Sequence, residues 1–203
     1  MEVNGFTIAP FRNLNSANLS SEDLKGADLL RADLIGANLT NADLTGARLF
    51  GSDMTNADLT NANLTNADLT NADLTGANLT GAKLIGANLT GARLPCANLT
   101  GANLIGANLT GANLHWTTLI NADLTRATLT GTDLSKAELM GANLLDTILT
   151  GVYAANLTGA YFTNAIMKGI DLTAANAVML VARKSGADMS NPNLDEFFPT
   201  ENN

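Results

Sequence analysis

Residues 57–81 read ADLTN ANLTN ADLTN ADLTG ANLTG, and this five-residue period decides the fold. An apolar residue recurs at every fifth position from Leu14 to Leu149, which makes 28 consecutive units. It is Leu in every unit except the one centred on Met54, and Ala stands two residues before it in 22 units. The exceptions to Ala are Arg12, Glu22, Ser52, Thr117, Thr132 and Thr147. A repeat this strict dictates the architecture and leaves function to the positions that vary.

A period of five fits neither an α-helix nor a straight β-strand. In a helix, a step of five residues rotates each Leu by about 140° from the last, so the Leu side chains form no stripe. In a strand, an odd step sends alternate Leu side chains to opposite faces. Gly, Asn, Asp and Thr, which fill the rest of the unit, also disfavour helix interiors. We therefore expect the chain to turn once per unit, with Ala and Leu pointing inward, the next two residues forming a corner, and successive turns stacked.

Residues 57–61 (ADLTN) and 77–81 (ANLTG) resemble the A(D/N)LXX motif of the pentapeptide-repeat family. The resemblance implies an all-β fold, a right-handed quadrilateral β-helix with four units per coil, so that each residue lies beneath the residue 20 positions later. The 28 units then make seven coils, and weaker repeats near the C-terminus bring the expected total to about eight, with roughly 34 Å of regular rod. The Leu-centred units are similar to family members that are abundant in cyanobacteria.

The repeat divides the chain into four segments. They are an N-terminal cap at 1–11, the regular β-helix at 12–151, register-shifted repeats at 152–194 and a C-terminal tail at 195–203. The residues expected to cover the open end of the first coil are Phe6, Ile8 and Phe11. After Leu149 the next centre, Leu157, comes eight residues later, which breaks the register. Within the shifted repeats, residues 174–186 drop the pattern and are typical of either a short helix or a loop.

Composition narrows the class of protein. The net charge is −8, which argues against binding to a phosphate backbone or to an anionic membrane surface. A single cysteine, Cys96, rules out an intrachain disulfide and fits a reducing compartment. The first ten residues contain no basic stretch followed by an apolar run, and no span of about 20 apolar residues occurs in the chain. We therefore expect a cytoplasmic protein that does not contact membranes.

Stacking at an interval of 20 residues places three aspartates in one outward column, Asp33, Asp53 and Asp73. Like charges about 5 Å apart in water repel by only about 1 kcal/mol per pair, and by less in salt. The column is therefore either an ordinary solvated face or an acidic ladder that mimics the charge of DNA.

The least regular outward side chains lie in the middle of the repeat. The stacking rule gathers them into one candidate contact patch for a partner: Arg93, Pro95, Cys96, His115, Trp116 and Lys136. An exposed Trp beside cations suits partner binding, although neutral variation at a corner explains the same residues. Ile85 and Ile105 are a second candidate surface, an outward apolar ladder that equally fits good β-forming residues on a strand.

Nothing in the sequence points to catalysis, a metal or a cofactor. The only His and the only Cys fall in the same patch, but no third group orients them, and a convex rod face offers neither a pocket nor an oxyanion site. Two soft ligands are too few for a structural zinc site. The glycines follow the repeat and form no phosphate-binding loop.

We interpret the chain as a non-enzymatic interaction or scaffold rod whose partner is another protein. The alternative comes from the resemblance, because family members that protect DNA gyrase from quinolones look like acidic rods shaped like a duplex. Such proteins often dimerise through their C-terminal ends, which raises a homodimer through the C-terminal region here. Three features count against mimicry. The unit centres are Leu where those proteins favour Phe, no long loop interrupts the coils, and residues 76–120 contain no acidic residue. A remote third interpretation is ice binding through two Thr ladders, at positions 40, 60, 80 and 100 and at positions 70, 90, 110, 130 and 150.

Overall fold

Each five-residue unit forms one side of a square coil, and four units complete the turn. The computed structural model describes residues 2–152. Parallel β-bridges join each outward residue before a core Leu to the residue 20 positions later, from Asn13 with Asp33 to Thr128 with Ile148. The four-sided β-helix that the family resemblance implies is therefore confirmed, and residues 12–151 supply its seven regular coils.

Backbone hydrogen bonds between successive coils hold the rod together. In the unit centred on Leu14, the Leu14 N–H donates to the carbonyl of Asp33 at 2.7 Å, and the Ser16 N–H donates to the carbonyl of Ile35 at 2.8 Å. The Ala17 N–H instead donates to Leu14 O at 3.0 Å, which closes the corner within one coil. Because this pattern repeats along the described part, most backbone N–H groups of a unit are satisfied by the coils above and below it, and that of the inward small residue is satisfied within its own coil.

Every corner needs a residue in the left-handed region. The residue before each inward small residue has φ between 49° and 72° from Phe11 to Gly151. Gly adopts this conformation without penalty and Asn with little, which explains the Thr-Gly and Thr-Asn pairs of the sequence. Corner residues of consecutive coils also fit each other, because the side chain of Asn56 occupies the space that a Cβ at Gly76 would need.

The interior is a column of alternating small and large side chains. The Leu residues at the unit centres, from Leu14 to Leu149, are at most 1% exposed, and Met54 replaces Leu without opening the column. At four of the six positions that lack Ala, a buried hydroxyl takes its place and donates to a backbone carbonyl, whereas Arg12 is exposed and Glu22 half-buried in the first coil. The four residues with a buried hydroxyl are Ser52, Thr117, Thr132 and Thr147. Within the described part, no buried side-chain N or O atom lacks a hydrogen-bond partner.

The outward Asp or Asn before each Leu builds a local turn. In the unit centred on Leu79, Asn78 Oδ1 accepts the backbone N–H of Thr80 at 3.2 Å and its hydroxyl at 2.7 Å. Asn78 Nδ2 also donates to Thr60 Oγ1 in the preceding coil at 2.9 Å. Asp and Asn form such turns with their own backbone readily. The A(D/N)LT motif therefore specifies hydrogen bonds as well as the core.

The N-terminal residues form a hairpin of two antiparallel strands, β1 (Glu2–Val3) and β2 (Phe6–Thr7). Val3 and Phe6 pack partly buried against the core, and Ile8 is buried within it. The expectation that Phe11 also covers the first coil is wrong, since its side chain is 65% exposed. Phe11 occupies a corner with φ 57°, and corner side chains point away from the column.

The predictions for the C-terminal segments concern residues beyond the described part of the chain. The shifted repeats, the segment at 174–186 and the C-terminal tail lie outside the described residues, apart from Val152, which is buried. Residues 2–152 contain no helix with the length and apolar character that a membrane span requires.

Candidate functional site

The aspartate ladder and the Trp116 patch lie on the same side of the rod. We call this side the first face; it consists of the units centred on residues 14, 34, 54, 74, 94, 114 and 134 together with the corners that open and close it. The bridges run up this face from Asp33 through Asp53 and Asp73 to Arg93. The two surfaces that the sequence suggests separately are therefore one continuous surface.

The carboxylates of the ladder differ in their surroundings. Asp33 is exposed, whereas Asp53 and Asp73 are half-buried. Asp53 Oδ1 accepts the backbone N–H of Thr55 at 3.0 Å, and Asp73 Oδ1 accepts the N–H and hydroxyl of Thr75 at 3.0 and 2.5 Å. Each of these turns leaves a second carboxylate oxygen for a neighbour or a ligand.

Arg93 ends the ladder. Its Nε donates to Asp73 Oδ2 at 3.1 Å, and the two residues are β-bridge partners in consecutive coils. Partial burial tends to raise the pKa of Asp73, but the hydrogen bonds from Thr75 and the charge of Arg93 outweigh it and hold that pKa below its usual value. Asp73 is thus ionised and paired, while Asp33 and Asp53 form no ion pair in the described part of the chain.

Cys96, Trp116 and Lys136 stack at the corner that closes the first face. All three have left-handed backbones, with φ of 58°, 58° and 60°, where the three preceding coils place Gly36, Asn56 and Gly76. For a side chain with a Cβ this conformation costs roughly 1–2 kcal/mol, and for a bulky aromatic it is an outlier. Trp116 and Lys136 are therefore large side chains at positions where the backbone disfavours them.

Trp116 forms the centre of this corner and is 55% exposed. The ring of His115 meets it edge-on, with ring centroids 6.1 Å apart and an interplanar angle of 89°. Lys136 Nζ lies 4.9 Å from the Trp116 ring centroid, which is within range of a cation–π interaction. The free thiol of Cys96 is exposed in the coil below. The structure thus brings His115, Trp116 and Lys136 into contact, as the stacking rule predicts.

Pro95 has a local explanation. In most units the backbone N–H at this position donates to the Asp or Asn two residues earlier, as His115 does to Asn113 Oδ1 at 2.9 Å. Position 93 holds Arg, which has no acceptor atom, so a proline at 95 loses nothing. The Pro95 carbonyl still accepts the N–H of Gly76 at 2.9 Å.

Ile85 and Ile105 lie on a different face, in the units centred on Leu84 and Leu104. Ile85 is 36% exposed and Ile105 is half-buried. Nothing in the described part brings them near Trp116, so they do not belong to the same site.

Two features of the surface are missing from the sequence analysis. Seven of the nine hydroxyls in the two Thr ladders donate to the Asp or Asn two residues earlier, and Thr90 Oγ1, for example, donates to Asn88 Oδ1 and also accepts from Asn108 Nδ2. The other feature is a set of exposed apolar residues at the edges of faces, Phe11, Ile35 and Met140. The sequence does indicate that Phe11 is a corner residue, because it lies five residues before the corner residue Ser16 and in register with the later Gly and Asn corners.

Chemically, the first face is suited to contact and not to metal binding. No group of three or more His, Cys, Asp or Glu residues within residues 2–152 is arranged to hold a metal ion. What the face offers is a row of carboxylates, an ion pair and an exposed aromatic cluster on a flat or convex surface.

Comparison with known proteins agrees with this architecture. A family model described as "Pentapeptide repeats" matches eight copies, in overlapping segments that extend from residue 13 to 153 and at residues 155–177. HetL from the cyanobacterium Nostoc sp. strain PCC 7120, a protein involved in heterocyst differentiation regulation, is 31% identical, with a TM-score of 0.56 over 88% of this chain and 85% of HetL.

QnrB1, a plasmid-mediated fluoroquinolone resistance protein, is 18% identical in one of its structures, with a TM-score of 0.67 over 92% of this chain and 93% of QnrB1. At that identity the likeness concerns the fold alone. No curated protein sequence matches the chain. The family match and the likeness to HetL agree with the square coil, the Leu column and the corner pattern, and the chain therefore belongs to the pentapeptide-repeat family, whose fold is a right-handed β-helix.

Proposed function

We propose that this protein is a non-enzymatic rod that binds another protein through the corner formed by Cys96, Trp116 and Lys136. One observation carries the proposal: Trp116 combines a left-handed backbone with a ring that is more than half exposed. A Gly at this corner would avoid the backbone cost, and the fold gains little burial in return. An exposed aromatic kept at such a cost suits an anchor for a partner, because Trp is enriched among the residues that dominate binding energy.

The surroundings of Trp116 support this role. Lys136 and His115 border the ring, so a partner that covers it would meet an aromatic anchor with polar groups at its edge. Interfaces commonly combine a buried aromatic centre with a polar rim. The convex shape of a corner suits insertion into a cleft of the partner better than it suits enclosing a small substrate.

The likeness to HetL favours a regulatory partner. HetL is involved in regulating heterocyst differentiation, and it shares 31% identity with this chain. A rod that regulates through contact needs no chemistry of its own. In the same proposal, the rod works in the cytoplasm, where Cys96 stays reduced.

Affinity capture tests the proposal. The wild-type protein and Trp116→Gly are immobilised at equal density and exposed to lysate of the source cell, and retained proteins are quantified by mass spectrometry. The matched control is Met140→Thr, which removes a large apolar side chain that is 61% exposed on the neighbouring face. We expect at least one protein to be retained by the wild type and by Met140→Thr and to be reduced tenfold or more on Trp116→Gly. Equal retention by all three would refute the Trp116 corner as the site.

A second candidate function is inhibition of DNA gyrase by mimicry. The observation in its favour is the in-register column of Asp33, Asp53 and Asp73. It is weaker, because the column holds only three carboxylates before Arg93 ends it. A supercoiling assay with gyrase decides the matter. Lack of inhibition at micromolar protein removes mimicry, and inhibition that survives Asn at all three positions removes the ladder as its cause.

A further inference from the structure

We propose that a corner at the N-terminal end of the rod is a second docking surface, and that its occupant is an acidic segment of a partner protein with a large apolar side chain. We call this surface the Phe11 corner; it consists of Phe11, Arg12, Leu30, Arg31 and Phe50. It lies where the fourth side of the coil, with units centred on Leu29 and Leu49, turns into the first face. The inference is independent of the Trp116 corner, which closes the opposite edge of the first face.

Backbone hydrogen bonds hold the large side chains of this corner next to each other. The Phe11 N–H donates to Leu30 O at 2.9 Å, and the Arg31 N–H donates to Phe50 O at 2.9 Å. Phe11 is 65% exposed, whereas Leu30 and Phe50 are half-buried. In the later coils, as far as residue 151, Thr replaces Leu30 and Phe50, and Gly or Asn replaces Phe11 and Arg31. Large side chains in these two columns are therefore confined to the N-terminal end of the described rod.

The shape of the corner leaves room for Arg31 to extend along the rod. Arg31 has a left-handed backbone with φ of 49° and lies directly beneath Gly51. A Cβ at Gly51 would lie 3.4 Å from Arg31 Cγ and 3.9 Å from Arg31 Nε. The Arg31 side chain therefore packs against the bare backbone of the next coil, which also contains Phe50.

The two arginines of the corner have no carboxylate partner. Arg12 is exposed, although most residues at its position in the unit point inward, and Arg31 is exposed as well. Within residues 2–152, neither of them forms an ion pair, and the exposed Asp33 pairs with neither. Nearby, Arg48 and Asp28 neutralise each other at 2.9 Å. Two arginines against Asp33 leave the corner with a net charge of +1, in a chain whose net charge is −8.

The glutamates near this end of the rod are engaged with the N-terminal residues. Glu2 Oε1 accepts the hydroxyl of Thr7 at 2.6 Å. Glu22 Oε1 accepts a hydrogen bond from Asn4 Nδ2 at 2.7 Å. Neither carboxylate lies within ion-pair distance of a cation in the described part of the chain. A carboxylate for the two arginines must therefore come from another molecule.

This combination of groups fits an acidic peptide segment better than it fits a phosphate backbone. Guanidinium groups bind carboxylates in a planar, bidentate geometry. The apolar surface of Phe11, Leu30 and Phe50 calls for an apolar side chain on the occupant, which a phosphate backbone does not carry. Complementary charge would also direct an acidic segment to this corner and away from the acidic remainder of the chain.

A display selection tests the inference without knowledge of the partner. A random peptide library is selected on the immobilised full chain, and the affinities of the enriched peptides are measured by fluorescence anisotropy. Arg12→Gln/Arg31→Asn removes both charges of the corner, and Lys83→Gln/Arg126→Asn is the matched control. The control removes the same charge from other parts of the rod, and Arg126 has a left-handed backbone like Arg31, with φ of 58°. Phe11→Asn tests the apolar part, because Asn occupies the same column at position 71.

We expect the enriched peptides to carry Asp or Glu within a few residues of Phe, Leu or Trp. They should bind Arg12→Gln/Arg31→Asn at least tenfold more weakly than the control, and Phe11→Asn at least threefold more weakly than the wild type. Melting temperatures show that each variant is folded. Enrichment of basic or uncharged peptides, equal loss on both double variants, or no enrichment would overturn the inference.

Two other occupants are tested with the same variants. Binding of a fluorescein-labelled DNA duplex at physiological salt that is lost on Arg12→Gln/Arg31→Asn would make the occupant a phosphate backbone. A dimer of the protein alone that this variant dissociates, measured by analytical ultracentrifugation, would make it a second copy. We expect neither, and either result would overturn the inference. Both would leave the proposed function untouched, because capture through Trp116 is measured with a different variant.

Discussion

Arg93 Nε and Asp73 Oδ2 are 3.1 Å apart, and this ion pair joins the acidic part of the first face to its aromatic part. Both side chains are partly exposed, so the pair adds little to stability. Its effect is on the pattern of charge, because it removes one carboxylate from the free row and one cation from the surroundings of Trp116. The surface that remains carries Asp33 and Asp53 beside the exposed Arg12 and Arg31 at one end, and Trp116 with Lys136 at the other.

Leu79→Asp should unfold or fray the rod. The Leu79 side chain is fully buried in the column, and a carboxylate there would have no partner, which costs several kcal/mol. Thermal denaturation followed by circular dichroism measures the effect, with the exposed Lys83→Asp as control. An unchanged melting curve for Leu79→Asp would contradict the inward placement of the Leu residues.

Thr117→Val should destabilise the protein by about 1 kcal/mol, because the buried hydroxyl donates to Leu94 O at 2.7 Å and Val cannot. The adjacent Thr118→Val is the control, since its side chain lies on the outer surface and should change stability by less than about 0.5 kcal/mol. Chemical denaturation compares the two. Equal effects would show that the hydroxyl bond contributes nothing.

Asn108→Asp should cost about 1 kcal/mol more than Asn98→Asp. Both variants keep the local turn with the following Thr, at 110 or 100. Only Asn108 also donates from Nδ2 to the coil below, to Thr90 Oγ1 at 3.0 Å. Neither position has an acidic β-bridge partner, so the added charge is comparable. Identical denaturation midpoints would mean that the bond between coils is not formed in solution.

Trp116→Gly should change the free energy of unfolding by no more than about 1 kcal/mol. Relief of the left-handed backbone, about 1–2 kcal/mol, offsets the greater flexibility of Gly in the unfolded chain and the lost contact with Lys136. Leu114→Ala, two residues earlier but buried, should cost about 2–5 kcal/mol. A loss above 2 kcal/mol for Trp116→Gly would assign Trp116 a structural role.

Acid should weaken the rod through the aspartates that the folded state keeps ionised. The hydroxyl of Thr45 lowers the pKa of Asp43, with help from Lys25, and the pKa of Asp73 is also lowered. A pKa lower in the folded state stabilises the protein above the ordinary aspartate value of 3.8, and this contribution is lost as the pH falls through the folded-state pKa. Melting temperatures between pH 7 and 2.5 should therefore fall below about pH 4.

The double variant Asp43→Asn/Asp73→Asn is the control for this pH dependence. Asn already occupies the same position in other units, so the fold tolerates it, and the acid-induced decrease should be smaller. If the wild type and the double variant lose stability in parallel, other groups cause the decrease.

The regular fold could be predicted from the sequence because one physical constraint repeats. A five-residue period with Leu inward allows only a chain that turns once per unit, and the resemblance supplied four units per coil. The stacking of Trp116 between Cys96 and Lys136 follows from that number alone. The same rule places Arg93 above Asp73, and the ion pair between them follows from the opposite charges of these two neighbours.

Other features could not be predicted from the sequence because they depend on backbone angles and side-chain directions. The backbone cost at Trp116 is visible only once the corner residue has a measured φ. The exposure of Phe11 follows from the same corner geometry, whereas hydrophobicity alone suggested a cap. The double use of Asn78 and Thr60 as donor and acceptor depends on rotamers that composition does not specify.

Because four units make one coil, the position of a residue within the coil also fixes the direction in which its side chain points from the rod axis. Deleting one unit, such as residues 77–81, would leave a core-compatible repeat but would rotate everything after it by a quarter turn about the rod axis. Arg93 would then no longer stand over Asp73, and Trp116 would leave its corner. Deleting a whole coil of 20 residues would instead keep each direction and shorten the rod by about 4.8 Å. An insertion or deletion in such a chain therefore either rotates a binding surface about the rod axis or moves it along that axis, depending on whether its length is one unit or a whole coil.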